Sequence, residues 1–124
     1  MKKFVLLGSA GVLGTLARYL LQGAFYQTLG GTFPYGTLVV NVLGCFLLGL
    51  FNRLFTDRFL IDPAWRSFFT IGFCGAFTTF STFTFETYQL ASGRNVEAAA
   101  LNVFFSLFLG FLFLWFGIVL SRVF

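Results

Sequence analysis

The chain has 124 residues, of which 58% are hydrophobic, 22% aromatic and only 10% charged, and its mean hydropathy is +0.90. Globular domains average about 45–50% apolar and about 25% charged residues, so eight basic and four acidic side chains cannot furnish a soluble surface. A soluble globular domain and a disordered tail are both excluded, which leaves an integral membrane protein.

At about 20 apolar residues per span, this length holds four or five helices and no extramembrane domain. There is no histidine, and Cys45 and Cys74 both lie deep in apolar runs, so neither a zinc site nor a disulfide scaffold is expected. The net charge of +4 sets orientation in the bilayer and does not imply a nucleic-acid partner.

The first predicted span covers about Phe4 to Leu29, behind Lys2 and Lys3. It is too long for a signal peptide, carries Arg18 inside, and lacks a small-x-small cleavage site after a short apolar core. Gly8, Gly11 and Gly14 put small residues on one of its faces, which suits close helix packing. Gly30-Gly31-Thr32-Phe33-Pro34 reads as a turn, with Pro34 opening a second helix over about Tyr35–Phe55. The segment Arg53–Pro63 reads as the longest loop. Asp62-Pro63 then gives an N-cap acceptor followed by proline at the first helical position. A third span over about Ala64–Ala91 stops at Ser92-Gly93. Asn95 caps the fourth, Glu97 suits its first turn, and the helix continues to about Leu120. The expected fold is an all-α membrane protein: one domain, residues 1–124, of four spans.

With four spans, Lys2, Lys3, Arg53, Arg58, Arg66 and Arg122 share one side, while Arg94, and Arg18 within the first helix, belong to the other. That bias places both termini in the cytoplasm.

Polar groups inside hydrocarbon need a partner or a wet pathway. Arg18 is either an electropositive attractor for an anion or a snorkelling or paired structural arginine. Glu86, the only acid well inside a span, sits toward the outer part of the third helix, where it pairs with a cation or marks a pore mouth. Thr37 and Asn41 stand at i and i+4 on the second helix and share a face, continued by the small Gly44 and Cys45. An asparagine amide there either glues helices together or offers N–H donors to an anion.

The third span is the informative one. From Gly72 to Glu86 it combines two glycines with the hydroxyl residues Thr78, Thr79, Ser81, Thr82 and Thr84, and with Phe77, Phe80, Phe83 and Phe85. Glycine and β-branched residues make a poor continuous helix, and a helix broken at mid-membrane lines a cavity or binds an ion. Isolated threonines back-bond to their own helix, but five hydroxyls within seven positions exceed what that explains. Phe80 and Phe83 share a face, and ring edges are electropositive. On the fourth span Asn102 and Ser106 again stand at i and i+4, continued by Gly110. Three donor-rich stripes without acids describe a narrow, uncharged path that suits an anion better than a cation. No metal cluster, nucleophile–base set or phosphate-binding loop is legible, so no enzymatic activity is expected.

These residues resemble the Fluc (CrcB) fluoride channel family. The similarity runs through Gly8-Ser9-Ala10-Gly11, Arg18-Tyr19 and Pro34-Tyr35-Gly36-Thr37-Leu38-Val39-Val40-Asn41, and is most specific over the stretch from Gly72 to Phe83. The resemblance implies a passive, fluoride-selective channel that relieves intracellular fluoride in microbes, in a bacterial inner membrane. It also implies an antiparallel, dual-topology dimer with two pores. By motif, Asn41 donates to fluoride, Phe80 and Phe83 line the pore, and Ser81 and Thr82 belong to the same filter. Thr37, Asn102 and Ser106 fall along the polar path, and Arg18 and Glu86 in a vestibule. Gly75 and Thr78 supply backbone carbonyls from both subunits to a central structural Na+. Antiparallel assembly of one chain requires dual insertion, against which the Lys/Arg bias stands. A second copy of the chain is the expected partner, with an oppositely oriented paralogue as the alternative. A small multidrug-resistance exporter is the functional rival, but it needs an acid in the first helix where this chain has Arg18. A non-conducting assembly subunit, the other rival, has no need of polar stripes.

Overall fold

A computed structural model of the chain describes residues 1–58 and 62–124, with the backbone alone at 57 and 58. Helix α1 (Lys2–Leu29) runs unbroken and hands over at Gly30 and Gly31, both at positive φ, where a side chain would be strained. Helix α2 (Tyr35–Arg53) starts directly after Pro34. Helix α3 (Pro63–Ser67) opens with proline at its first position and the Asp62 carboxylate accepting the Ala64 N–H at 2.7 Å. It passes into a π-helical stretch, Phe68–Cys74, and then the single turn α4 (Gly75–Phe77). After an interruption, α5 (Phe80–Ser92) completes the third segment and ends at Gly93. Helix α6 (Val96–Leu120) is capped by the Asn95 side chain, which accepts from Ala98 N at 3.2 Å, and carries Glu97 in its first turn.

Four segments are long and apolar enough to cross a membrane: Lys2–Leu29, Tyr35–Thr56, Pro63–Ser92 and Val96–Leu120. Among the described residues there is no strand, only helix, turns and short irregular stretches. Few apolar side chains are buried within the single chain, and many large ones, such as Leu20, Phe104 and Phe111, are exposed. In hydrocarbon such surfaces meet lipid or another helix, not water.

Two features depart from the expected layout. The predicted loop Arg53–Pro63 is shorter, because the second helix continues through the π-helical turn Leu54–Arg58. The Thr56 hydroxyl bonds back to the Asn52 carbonyl at 2.6 Å, and the rings of Phe51, Phe55 and Phe69 pack together at centroid separations of 5.1–5.7 Å. Those contacts hold the extra turn against the third segment. The remainder of that predicted loop, residues 59–61, lies outside the described residues. The glycine stripe of α1 is also used unevenly: Gly14 abuts the Phe73 carbonyl and Phe77, whereas Gly8 and Gly11 face open space.

Packing organises around α2. Its most extensive contact is with α6, while α1 lies against the π-helical stretch, α2 and α4. The α2–α6 approach is close because Gly49 faces the Leu114 carbonyl and Gly117 faces Phe46 and Leu50 backbone, leaving no room for a Cβ. Small residues buy this van der Waals contact where no hydrophobic effect drives association. Another glycine of α2, Gly44, meets the middle of the third segment at Phe77 and Thr78.

Candidate permeation site

The third segment breaks at Thr78 and Thr79, at the centre of Pro63–Ser92. Both residues are extended, with φ/ψ of −85°/160° and −149°/113°. A helix broken in an apolar medium leaves backbone groups that need partners. Asn41 supplies them. Its Oδ1 accepts the Thr79 N–H at 2.7 Å, and its Nδ2 donates to the Thr79 carbonyl at 3.0 Å. The side-chain amide thus imitates a neighbouring peptide and satisfies both main-chain groups of one residue. Thr79 in turn caps α5: its Oγ1 accepts from Thr82 N at 3.3 Å and donates to the Thr82 hydroxyl at 2.9 Å, with Ser81 Oγ 3.4 Å away.

The break also frees carbonyls. In a continuous helix the Thr79 N–H would bond to the Gly75 carbonyl, but here it is committed to Asn41. Thr78 stands before the cap of α5, and the Thr82 N–H turns to the Thr79 hydroxyl instead of the Thr78 carbonyl. The Thr78 N–H and hydroxyl both point back to the Cys74 carbonyl, at 3.0 Å each. Gly75 is exposed, with open space beyond its Cα. Gly44 makes the arrangement possible on the α2 side, because a Cβ there would overlap the Thr78 methyl.

A cavity of about 290 Å³ opens beside the break, with Asn41, Thr78, Phe80, Phe83 and Ser106 among its walls. The Phe80 and Phe83 rings stand 5.8 Å apart, tilted by 47°. Phe80 is 79% exposed, so a single chain leaves this side of the cavity open. The Ser106 hydroxyl is buried without a hydrogen-bond partner. Asn102, fully buried one turn earlier on α6, donates from Nδ2 to the Thr87 hydroxyl at 2.9 Å, and Thr87 bonds back to the Phe83 carbonyl at 2.7 Å.

A second polar cluster stands one turn before Asn41 on α2. Thr37 is buried and donates to Glu86 Oε1 at 2.8 Å, while Gln22 Nε2 donates to Thr37 Oγ1 at 2.6 Å. Tyr26 OH also donates to Glu86 Oε1, and Glu86 Oε2 is buried with no partner. The cluster borders a cleft of about 430 Å³ lined by Tyr26, Phe33, Pro34, Glu86, Gln89 and Asn95, among others. Arg18 is half-buried on α1, one turn before Gln22 and outside these hydrogen bonds.

The structure therefore brings Asn41, Phe80, Phe83, Ser81, Thr82 and Ser106 together around the break and sends Thr37 to Glu86. Gln22 and Tyr26 were missed among the polar residues of α1, and Thr87 as the partner of Asn102. A signal for the first two was present: Arg18, Gln22 and Tyr26 recur every four residues and so share one helix face.

Four helices long and apolar enough to cross a membrane, the third segment broken and bracketed by uncharged donors, define a small multi-pass membrane protein with a largely apolar cavity beside the break. A family model described as "CrcB-like protein, Camphor Resistance (CrcB)" matches residues 5–118, and the chain belongs to this family. It is 43% identical over 120 residues to a protein of Solibacter usitatus, covering 97% of this chain and 98% of that one. A protein of Solidesulfovibrio magneticus is 45% identical over 123 residues, 99% of this chain and 98% of its own length. One from Citrifermentans bemidjiense is 43% identical over 122 residues, 98% of each. All three relatives carry the name Fluoride-specific ion channel FluC.

Proposed function

We propose that the chain is a fluoride channel subunit that lets fluoride cross the membrane passively, and that two copies inserted in opposite orientations form the working unit. Family membership and the full-length similarity to fluoride-specific channels support fluoride as the ion and conduction, not catalysis, as the activity. The single observation that carries the mechanism is the Asn41-bracketed break at the wall of a cavity whose Phe80 ring is 79% exposed. A ring so placed is covered by lipid or by a second copy, and a second copy closes the cavity into a pore.

Fluoride holds its water tightly, so a pore must replace that shell with inward donors. Asn41 spends one N–H on Thr79 and keeps the other. Because Thr79 fixes the amide plane at both ends, the remaining N–H is preorganised and loses no rotamer freedom when an anion arrives. The hydroxyls of Ser81, Thr82 and Ser106 extend the donor set. Ring edges of Phe80 and Phe83 add a weak electropositive lining with no trapping charge. Asn102 and Thr87 continue the polar path, while Thr37, Glu86 and Arg18 belong to the vestibule. The freed carbonyls of Gly75 and Thr78 fit a sodium ion, since hard cations take oxygen ligands and these two lack helical partners. Sodium held between two copies would supply a fixed positive charge close to the anion path.

Phe80→Ile and Phe83→Ile test the pore in liposomes loaded with fluoride. Replacing the ring edges slows fluoride efflux from protein that remains folded; undiminished efflux in both variants would remove the rings from the pore. Accessibility of a terminal tag from outside sealed vesicles tests the assembly: labelling of about half the chains is expected for paired opposite orientations, and labelling of all or none contradicts them.

A further inference from the structure

Cys45 and Cys74 take no part in the proposed conduction mechanism, yet both line the cavity beside the break. They come from different elements, α2 and the π-helical stretch, and meet at the wall of this one cavity. Both are free thiols, and Cys74 is buried. Cys45 Sγ also leans toward α6, lying 3.5 Å from where a Cβ on Gly110 would stand. One turn before Gly110, the Ser106 hydroxyl lines the same cavity and is buried without a partner. Cys45, Cys74 and Ser106 therefore line one space, and the Ser106 oxygen lacks a partner.

We propose that Cys45 and Cys74 form a two-thiolate site for a soft, two-coordinate cation of the Cu+, Ag+ or Hg2+ type, and that occupancy obstructs the fluoride path. Thiolates select soft metals over sodium, magnesium or calcium. Among the described residues no group of three or more His, Cys, Asp or Glu side chains gathers, so the site cannot complete the tetrahedral set that structural zinc uses. A linear pair needs no more than two sulfurs, with Ser106 Oγ as a weak additional donor. Binding is an exchange without redox change: each thiol gives its proton to water and two S–metal bonds form. With Hg2+ the product is neutral. The bound metal occupies volume in a cavity of only about 290 Å³. It also ties α2 to the residue whose carbonyl anchors Thr78.

The test uses Hg2+ on the whole protein in two formats. Equilibrium dialysis of detergent-purified protein measures metal bound per chain, and fluoride efflux from liposomes measures its effect. The wild type is expected to bind about one Hg2+ per chain and to lose most of its efflux, about tenfold or more, with recovery in dithiothreitol. Cys45→Ser and Cys74→Ser, each compared with its own metal-free efflux, should bind at least about 100-fold more weakly and escape the block. Cys45→Ala and Cys74→Ala repeat the comparison if a serine variant misfolds. Two independent Hg2+ per wild-type chain, or single variants blocked as strongly as the wild type, would overturn the pair. Binding that leaves efflux unchanged would overturn its place on the path. Because dialysis reads binding without any ion flux, failure of the thiol site and failure of the fluoride reading are separate results.

Discussion

Asn41→Ala is the perturbation that isolates the bracketed break. The substitution deletes two hydrogen bonds at once, at 2.7 and 3.0 Å, and strands the Thr79 N–H and carbonyl in largely apolar surroundings. Side-chain hydrogen bonds within membrane proteins average about 0.6 kcal/mol; a buried group left unsatisfied costs about 1–3 kcal/mol in general. Between these two scales the loss is about 1–3 kcal/mol, or about 5- to 150-fold in the folding equilibrium. Asn102→Ala provides the scale, because it deletes the donor contact to the Thr87 side chain and no bond to the main chain; its cost should be about half or less. Reversible unfolding in mixed micelles of rising SDS content, followed by tryptophan fluorescence and circular dichroism, measures both. Asn41→Ala within about 0.3 kcal/mol of wild type would refute the bracket, since that is near the limit within which independent substitutions add.

Other consequences are as direct. Gly117→Ala places a methyl against the Phe46 carbonyl and should destabilise the α2–α6 pair by about 1–3 kcal/mol, whereas Gly110→Ala meets only Cys45 Sγ at ordinary contact distance and should change stability by less than about 0.5 kcal/mol in the same SDS assay. Thr79→Val keeps the β-branched shape and removes the α5 cap, which should cost about 1 kcal/mol and fray the first turn, read as faster amide exchange at Thr82. Tyr26→Phe and Thr37→Val each remove one donor from Glu86 Oε1, so a double-mutant cycle should show coupling above about 0.5 kcal/mol; strict additivity would mean the two hydroxyls act on Glu86 independently.

Much of this architecture was legible because the membrane imposes few solutions. Composition forced spanning helices, and Pro34, Asp62-Pro63, Gly93 and Asn95 marked boundaries that the backbone follows closely. The break was foreshadowed by glycine and hydroxyl residues between Gly72 and Thr84, since such a run weakens a helix wherever it lies. What holds the break was not legible. Asn41 and Thr79 are 38 positions apart, and no local pattern says that an amide will pair with one particular peptide. The same limit hid the Gln22–Thr37–Glu86 cluster, assembled from three helices, and the π-helical stretch at Phe68–Cys74, which packs against α1. Gly44 was recognisable as a small residue, but that it admits the Thr78 methyl is a tertiary fact.

The central claim is selective, passive fluoride conduction. It is tested most directly by reconstituting the purified protein in liposomes loaded with equal fluoride and chloride, and following both efflux rates with ion-selective electrodes after a potassium ionophore is added. Rapid fluoride release with chloride retained is the predicted result. Folded protein that releases neither anion, or both at similar rates, would contradict the account.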